Sequence, residues 1–152
     1  MLGDVLPRLL LAAVLTQAPP PPPPPVQQPD SALRRLVHEY IALYRRDSLE
    51  RWEGLFLPGF HASFTNSDGS TTSLSLAEFV ARQRRGFASN REMSEVLENV
   101  RYDRTGRLAS VWADFVFRSD AGSRRGRLVL LCIQDRGAWR IQSLLFSYHG
   151  EG

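Results

Sequence analysis

The chain is 152 residues long, and all nineteen of its basic residues are arginine. Sixteen acids leave a net charge of +3, and Cys132 is the single cysteine. The missing lysine excludes a Schiff base and a lysine-dependent phosphate loop. The lone cysteine excludes an intramolecular disulfide and a multi-cysteine zinc site, and the length allows one domain of roughly 100 to 150 residues.

The charge is diffuse. The densest arginine cluster, Arg82, Arg84 and Arg85, sits on one expected helix and reads as a solvated face. A nucleic-acid surface wants a basic stripe with interleaved aromatics, so no nucleic-acid partner is expected. His38, His61 and His149 are dispersed, which points to no metal site. His38-Glu39 is not followed by the second histidine of a zinc-protease motif. The sequence carries no glycine-rich phosphate loop and no nucleophile elbow. Acid–base chemistry on a small apolar ligand, without a cofactor, is the natural enzymatic option left. A lysine-free chain with a seven-proline run also indicates a GC-rich bacterial genome.

In chain order, residues 1–18 show the charged, apolar, small-residue sequence of an export signal. Arg8 precedes the run Leu9 to Leu15, and Ala18 offers a cleavage point. The run is too short to span a bilayer. Pro19 to Pro25 then form an unbroken proline run. At about 3.1 Å per residue, such a polyproline II segment is a stiff spacer of roughly 20 Å. Residues 19–30 are therefore read as a linker, 31–149 as the folded domain and 150–152 as a tail. The expected localisation is exported, periplasmic or secreted, with retention by an uncleaved N-terminal segment as the alternative.

The domain starts at Asp30 or Ser31, either of which can cap a helix. Leu33, Leu36, Val37, Tyr40, Ile41 and Tyr44 recur at helical spacing. Asp47 and Glu50 stand in capping-box relation and open a short second helix through Leu49, Trp52, Leu55 and Phe56, ended by Pro58-Gly59. His61 to Thr65 and Ser70 to Ser73 flank the turn residues Asn66-Ser67-Asp68-Gly69. Ser75 and Glu78 form a second capping box, with Leu74 and Phe79 at staple positions, and a third helix runs toward Phe87. Four strands follow, roughly 94–103, 108–118, 124–134 and 138–148, joined by short glycine-containing links. Such links make antiparallel neighbours. The fold class is α+β: helices in the N-terminal half against an antiparallel sheet.

The turns fix a register. Pairing Arg118 with Arg124 and Gln134 with Ala138 gives one face that is nearly all apolar, including Leu97, Val111, Phe115, Val129, Leu131 and Ile141. It should receive the helices. The other face carries Glu98, Trp112, Asp114, Leu128, Leu130, Leu144 and Phe146. An apolar patch in a polar surround suggests an interface. A homodimer built on Trp112, Leu128, Leu130, Leu144 and Phe146 is expected, with cover by the chain's own N-terminal segment as the alternative.

This order of elements resembles the nuclear transport factor 2-like superfamily. Arg45-Arg46-Asp47, Phe56-Leu57-Pro58-Gly59-Phe60 and Gly137-Ala138-Trp139-Arg140-Ile141 carry the resemblance, which spans about 31–149. It implies a curved sheet wrapped around three helices, a cone with an internal cavity. That superfamily includes ketosteroid isomerase, scytalone dehydratase, limonene epoxide hydrolase and SnoaL-type cyclases, and also non-enzymatic binding or dimerising modules. The resemblance therefore bears on architecture more than on chemistry.

Within such a cone, Tyr40, Tyr44, Trp52, Phe60, Phe64 and Phe115 are the aromatics that can line a cavity. The register adds Asn99, Arg127 and Ser143 as polar lining. It gathers Glu95, Arg125, Arg127, Ser147 and His149 toward one end, a plausible mouth. The catalytic candidates are His61, His149, Asp114 and Glu95. The register turns Asp114 away from the helices, as a surface carboxylate paired with an arginine; one β-bulge would reverse that. Cys132 reads as a buried inert thiol on the mixed face. Three functions stay open: an exported small-molecule-binding or dimerising protein, a cofactor-independent isomerase, dehydratase or cyclase, and an interaction module with a filled cone. An open cavity holding a carboxylate with a perturbed pKa would favour the enzyme.

Overall fold

The structure is a computed structural model that describes residues 30–150. The expected export signal and, apart from Asp30, the proline linker lie outside the described residues. The elements are α1 (Ser31–Ala42), α2 (Leu49–Glu53), β1 (Phe56–Thr65), β2 (Thr71–Ser75), α3 (Leu76–Ser89), β3 (Ser94–Thr105), β4 (Leu108–Ser119), β5 (Gly122–Asp135) and β6 (Ala138–Tyr148). Six strands form one mixed sheet in the order β2-β1-β6-β5-β4-β3. β1 runs parallel to β6, and every other pairing is antiparallel. No helix among the described residues is long and apolar enough to cross a membrane.

Local chemistry sets the helix starts. Asp30 caps α1, its Oδ1 accepting from the Ala32 amide at 2.9 Å. Its other oxygen accepts from Arg104 and from the Trp139 indole, both at 3.2 Å. The cap thus ties α1 to β3 and β6. The Ser75–Glu78 capping box forms as expected: Ser75 N donates to Glu78 Oε2 at 2.8 Å, and Glu78 N to Ser75 Oγ at 3.3 Å. The Asp47–Glu50 box does not form. Asp47 instead accepts from the Ser48 hydroxyl, and Ser48 occupies the cap of α2 without a side-chain cap bond. α2 stops at Glu53, so Leu55 falls in the turn that follows and Phe56 and Pro58 belong to β1. Pro58 is tolerated there because the β1–β6 ladder is interrupted between Phe56 and His61, where no amide is needed.

The core lies between the helices and the concave sheet face. Trp52 is fully buried and donates to the Tyr40 carbonyl at 2.9 Å. Its ring packs on Tyr44, Phe56 and Phe79 with centroids 4.7 to 5.6 Å apart. Removing a side chain this enclosed typically costs roughly 3–5 kcal/mol.

Register decides which residues reach that core, and here the structure corrects the sequence reading. The β4–β5 turn is tighter than assumed: Ser119 pairs with Gly122 and Phe117 with Arg124. The β5–β6 turn pairs Asp135 with Ala138 through Arg136 and Gly137, both at positive φ, the backbone of a two-residue type I′ hairpin. Each is a slip of one residue, and one residue exchanges the faces. Leu128, Leu130 and Cys132 therefore point into the core, while Leu131 is 41% exposed. The two slips add up to two residues on β6, which restores the face, so Trp139 and Ile141 point inward as expected. A bulge then shifts the β5–β6 register between Ile141 and Ser143, which turns Leu144 inward and leaves Leu145 44% exposed. A second bulge interrupts β3 between Glu98 and Arg101, with Asn99 at φ 52. Asparagine tolerates that left-handed conformation better than most residues. The expected dimer face is corrected accordingly. Leu128, Leu130 and Leu144 are core, Phe146 is half-buried, and only Trp112, 47% exposed, lies on the outer face.

Candidate functional site

A cavity of about 260 Å³ opens between the helices and one end of the sheet. Tyr40, Tyr44 and Trp52 line its helical side, with Phe79 and Gln83 from α3. Phe115, Phe117, Phe146 and Tyr148 line the sheet side, with Leu128 and Leu144 as floor. Glu95 and Met93 close one flank, and Arg82 and Arg124 stand on the lining as its cations.

Glu95 is the distinctive group. Alternation along β3 points Glu95 and Leu97 inward, upstream of the Asn99 bulge. Its Oε1 is buried and has no hydrogen-bond partner among the described residues. Burial pushes its carboxyl up to about 7, opposed by a hydrogen bond from the Tyr40 hydroxyl. Burial likewise raises Tyr40 and Tyr44, and the Glu95 charge adds to it. Tyr148 acts on both of these phenols from the sheet side of the cavity. Tyr44 is held in place by donating to Gln83 Oε1 at 2.6 Å.

The approach to Glu95 is pinned from outside the cavity. Asp120, in the β4–β5 turn, accepts from the amides of Arg91 and Glu92 at 2.8 and 3.1 Å. Asn90 donates to the Gly86 carbonyl at 2.8 Å and accepts from the Asp120 amide at 3.2 Å. Arg46 donates to the carbonyls of Phe87 and Asn90 at the end of α3. These bonds fix where β3 starts, and with it the position of Glu95.

The other catalytic candidates lie elsewhere. Asp114 is on the outer face, where its Oδ2 accepts from Asn99 at 2.9 Å and its Oδ1 from Arg127 at 3.0 Å. Those two bonds hold its carboxyl below the usual range, with His149 adding a smaller pull. His149 is exposed beside it, and His61 is exposed on β1, 3.4 Å from Ser143 Oγ. Of the expected cavity lining, Tyr40, Tyr44, Trp52, Phe64 and Phe115 are there. Phe60 is buried against Phe56 and Phe79 instead, and Ser143 is buried at the β6 bulge. Asn99 and Arg127 are on the outer face, and Arg125 pairs with Glu98 there. The slip hands the place expected for Arg125 and Arg127 to Arg124. Cys132 is buried on the core side, and burial pushes its thiol up to about 12, which makes it unreactive. No cluster of metal-ligating residues occurs among the described residues.

Sequence reasoning missed Gln83, Arg82 and Arg124. Gln83 was legible from its spacing, since it lies four residues after Phe79 and shares its helix face. Arg124 was hidden by the slip. Gly126 was also missed: a Cβ there would collide with the Ser147 carbonyl and the Phe115 ring, so glycine is what lets Phe115 form the cavity wall.

No family model matches the chain, and no curated protein matches it significantly. Solved structures do match. A nuclear transport factor 2-like protein of unknown function from Pseudomonas aeruginosa superposes with TM-score 0.65 at 16% identity, covering 78% of this chain and 99% of that one. A similar protein of unknown function from Shewanella baltica gives 0.61 at 16%, covering 78% and 91%. A proposed dehydratase of the nuclear transport factor 2-like family from Streptomyces avermitilis gives 0.63 at 15%, covering 77% and 93%. At these identities the likeness establishes architecture: the described residues have the nuclear transport factor 2-like fold.

Proposed function

We propose that the protein is a small-molecule enzyme of the acid–base kind, working in its cavity with Glu95 as the proton-transferring group. The observation that carries this reading is the buried, unpartnered Glu95 Oε1 beside a cavity with room for a ligand. An unsatisfied buried carboxylate oxygen costs stability, and such a cost is retained where a ligand supplies the missing partner. A carboxyl titrating near neutrality can both take and return a proton. Tyr40 and Tyr44 offer hydroxyls to a developing oxyanion. The reaction class is isomerisation, dehydration or cyclisation of a small, largely apolar substrate. The description of the Streptomyces avermitilis neighbour as a proposed dehydratase agrees with it. Ligand binding is contained in this reading, as its first step. A filled cone is disfavoured by a volume of about 260 Å³, roughly that of nine waters.

Two further proposals concern the whole protein. The exposed side chains of Trp112, Leu131 and Leu145 support a homodimer through the outer sheet face. The order of residue types in 1–18 supports export.

Solvent deuterium exchange tests the chemistry without knowledge of the product. Small carbonyl and hydroxylated ring compounds are incubated with the protein in heavy water and followed by mass spectrometry. Deuterium uptake should rise with pH through about 7 and vanish in Glu95→Gln. Uptake that persists in the variant, or no uptake by any compound, contradicts the proposal.

A further inference from the structure

Two polar groups of the cavity lining have an unused hydrogen-bonding capacity, and they are complementary. One is Glu95 Oε1, an acceptor. The other is the side-chain nitrogen of Gln83, a donor with no acceptor among the described residues.

Tyr44 decides which end of the Gln83 amide is free. The Tyr44 ring packs on Trp52 and Phe87, with centroids 5.2 and 5.1 Å away, so its hydroxyl has a fixed place. That hydroxyl lies 2.6 Å from Gln83 Oε1. A separation so short belongs to an O–H···O bond, since N–H···O bonds run at about 2.7 to 3.2 Å. The phenol therefore holds the carbonyl end of the amide, and the two N–H bonds are left for the cavity that Gln83 lines. Within the protein the Tyr44 proton goes to Gln83 and the Tyr40 proton to Glu95. The Gln83 amide is thus the neutral donor at hand without rearrangement. It also lies close to the acid, because the Glu95 charge acts on Tyr44.

We propose that Gln83 is the specificity-determining group of the cavity, donating through Nε2 to the carbonyl oxygen of an uncharged ring ligand and so setting which edge of it meets Glu95. Tyr44 is the positioning residue behind it. This rests on the reading of Glu95 as the acid–base group and adds to it the ligand class and the residue that reads it. A neutral carbonyl satisfies the amide donor, whereas a carboxylate would bring a second negative charge toward Glu95. The cations of the lining, Arg82 and Arg124, are exposed and stacked on Phe64 and Tyr148, while Gln83 is half-buried beside Tyr44. Tyr40, Phe79, Phe115 and Phe146 offer ring surfaces to a planar ligand, and about 260 Å³ admits one of the size of a fused bicyclic.

The probes are 2-acetylnaphthalene and 2-isopropenylnaphthalene, which are close in shape and differ in the carbonyl oxygen, with 2-naphthoate as the anionic counterpart. Fluorescence titration should show the ketone binding at least fivefold more tightly than the alkene. In Gln83→Leu that preference should fall to within twofold while alkene affinity is kept, which also reports that the variant folds. In Tyr44→Phe the preference should be intermediate. The infrared carbonyl band of the bound ketone should lie below its position in hexane and move back toward it in Gln83→Leu, a signature that a merely structural role would not move. Equal affinity for ketone and alkene, a ketone preference that survives Gln83→Leu, tighter binding of 2-naphthoate than of the ketone, or no binding of any probe would overturn the proposal. The acid–base reading is judged separately, by deuterium uptake in Glu95→Gln, and can stand when the ketone preference falls.

Discussion

Under the proposed function Glu95 carries the chemistry, and its burial also gives the protein a pH response. Burial pushes the Glu95 carboxyl up to about 7 in the folded chain, against an ordinary value of 4.5. The folded state thus keeps a proton that the unfolded chain releases. The contribution of Glu95 to stability is fully present while both states are protonated, below about 4.5, and is lost as pH rises through about 7. The difference amounts to roughly 3 kcal/mol. Glu95→Gln removes the burial of a charge and should be more stable than the parent at pH 8, with the gap closing at pH 4. Urea titrations of both proteins at the two pH values read this directly. Parallel behaviour at both values would mean that Glu95 is not desolvated. Carboxyls held below their ordinary range, such as Asp114 and Asp120, work in the opposite sense at low pH and cancel in the comparison. At this scale much was legible. Alternation alone turned Glu95 inward and Asp114 outward, because both precede or avoid the bulges that disturb their strands. The Tyr40 contact and the missing partner of Oε1 were not legible, since they depend on how α1 lies across β3.

At the scale of elements, local and non-local signals differ in what they reveal. Capping chemistry is local, and Ser75–Glu78 was read correctly from four consecutive residues. Asp47–Glu50 has the same pattern and does not form the box, because the helix starts one residue later: Ser48 is its cap, so the third helical position falls on Arg51. Strand existence followed from alternation and turn residues. Register did not, because Asp120-Ala121-Gly122-Ser123 can close a hairpin in more than one way. The choice made was one residue too wide, and it exchanged Leu128, Leu130 and Cys132 with Val129, Leu131 and Ile133. Bulges at Asn99 and after Ile141 reset the faces of β3 and β6, and the second turned Leu144 in. Nothing in a strand's composition marks a bulge except an asparagine or glycine in its interior, and Asn99 was that mark. The parallel pairing of β1 with β6 joins segments about eighty residues apart in the chain, and no adjacent turn announces it.

At the scale of the whole molecule, one sheet serves two faces. Its concave side closes over the helices and leaves the cavity. Its outer side carries Trp112, Leu131 and Leu145 in a surround of paired charges, including Arg127–Asp114 and Arg125–Glu98. Native mass spectrometry of the protein from its own host reads both proposals about its state. The mass of two chains, each beginning after Ala18, is expected. A monomer at micromolar concentration would refute the dimer, and a retained Met1 would refute simple cleavage of the export segment.

The protonation of Glu95 is the point on which the functional reading turns. Carbon-13 NMR of protein labelled at the glutamate side-chain carboxyl carbon follows it without a substrate, with Glu95→Gln assigning the resonance. A midpoint near 7, shifting when a ligand occupies the cavity, is the predicted result. A midpoint near the ordinary 4.5 would mean that water reaches the carboxyl freely, and would contradict a role for it in acid–base catalysis.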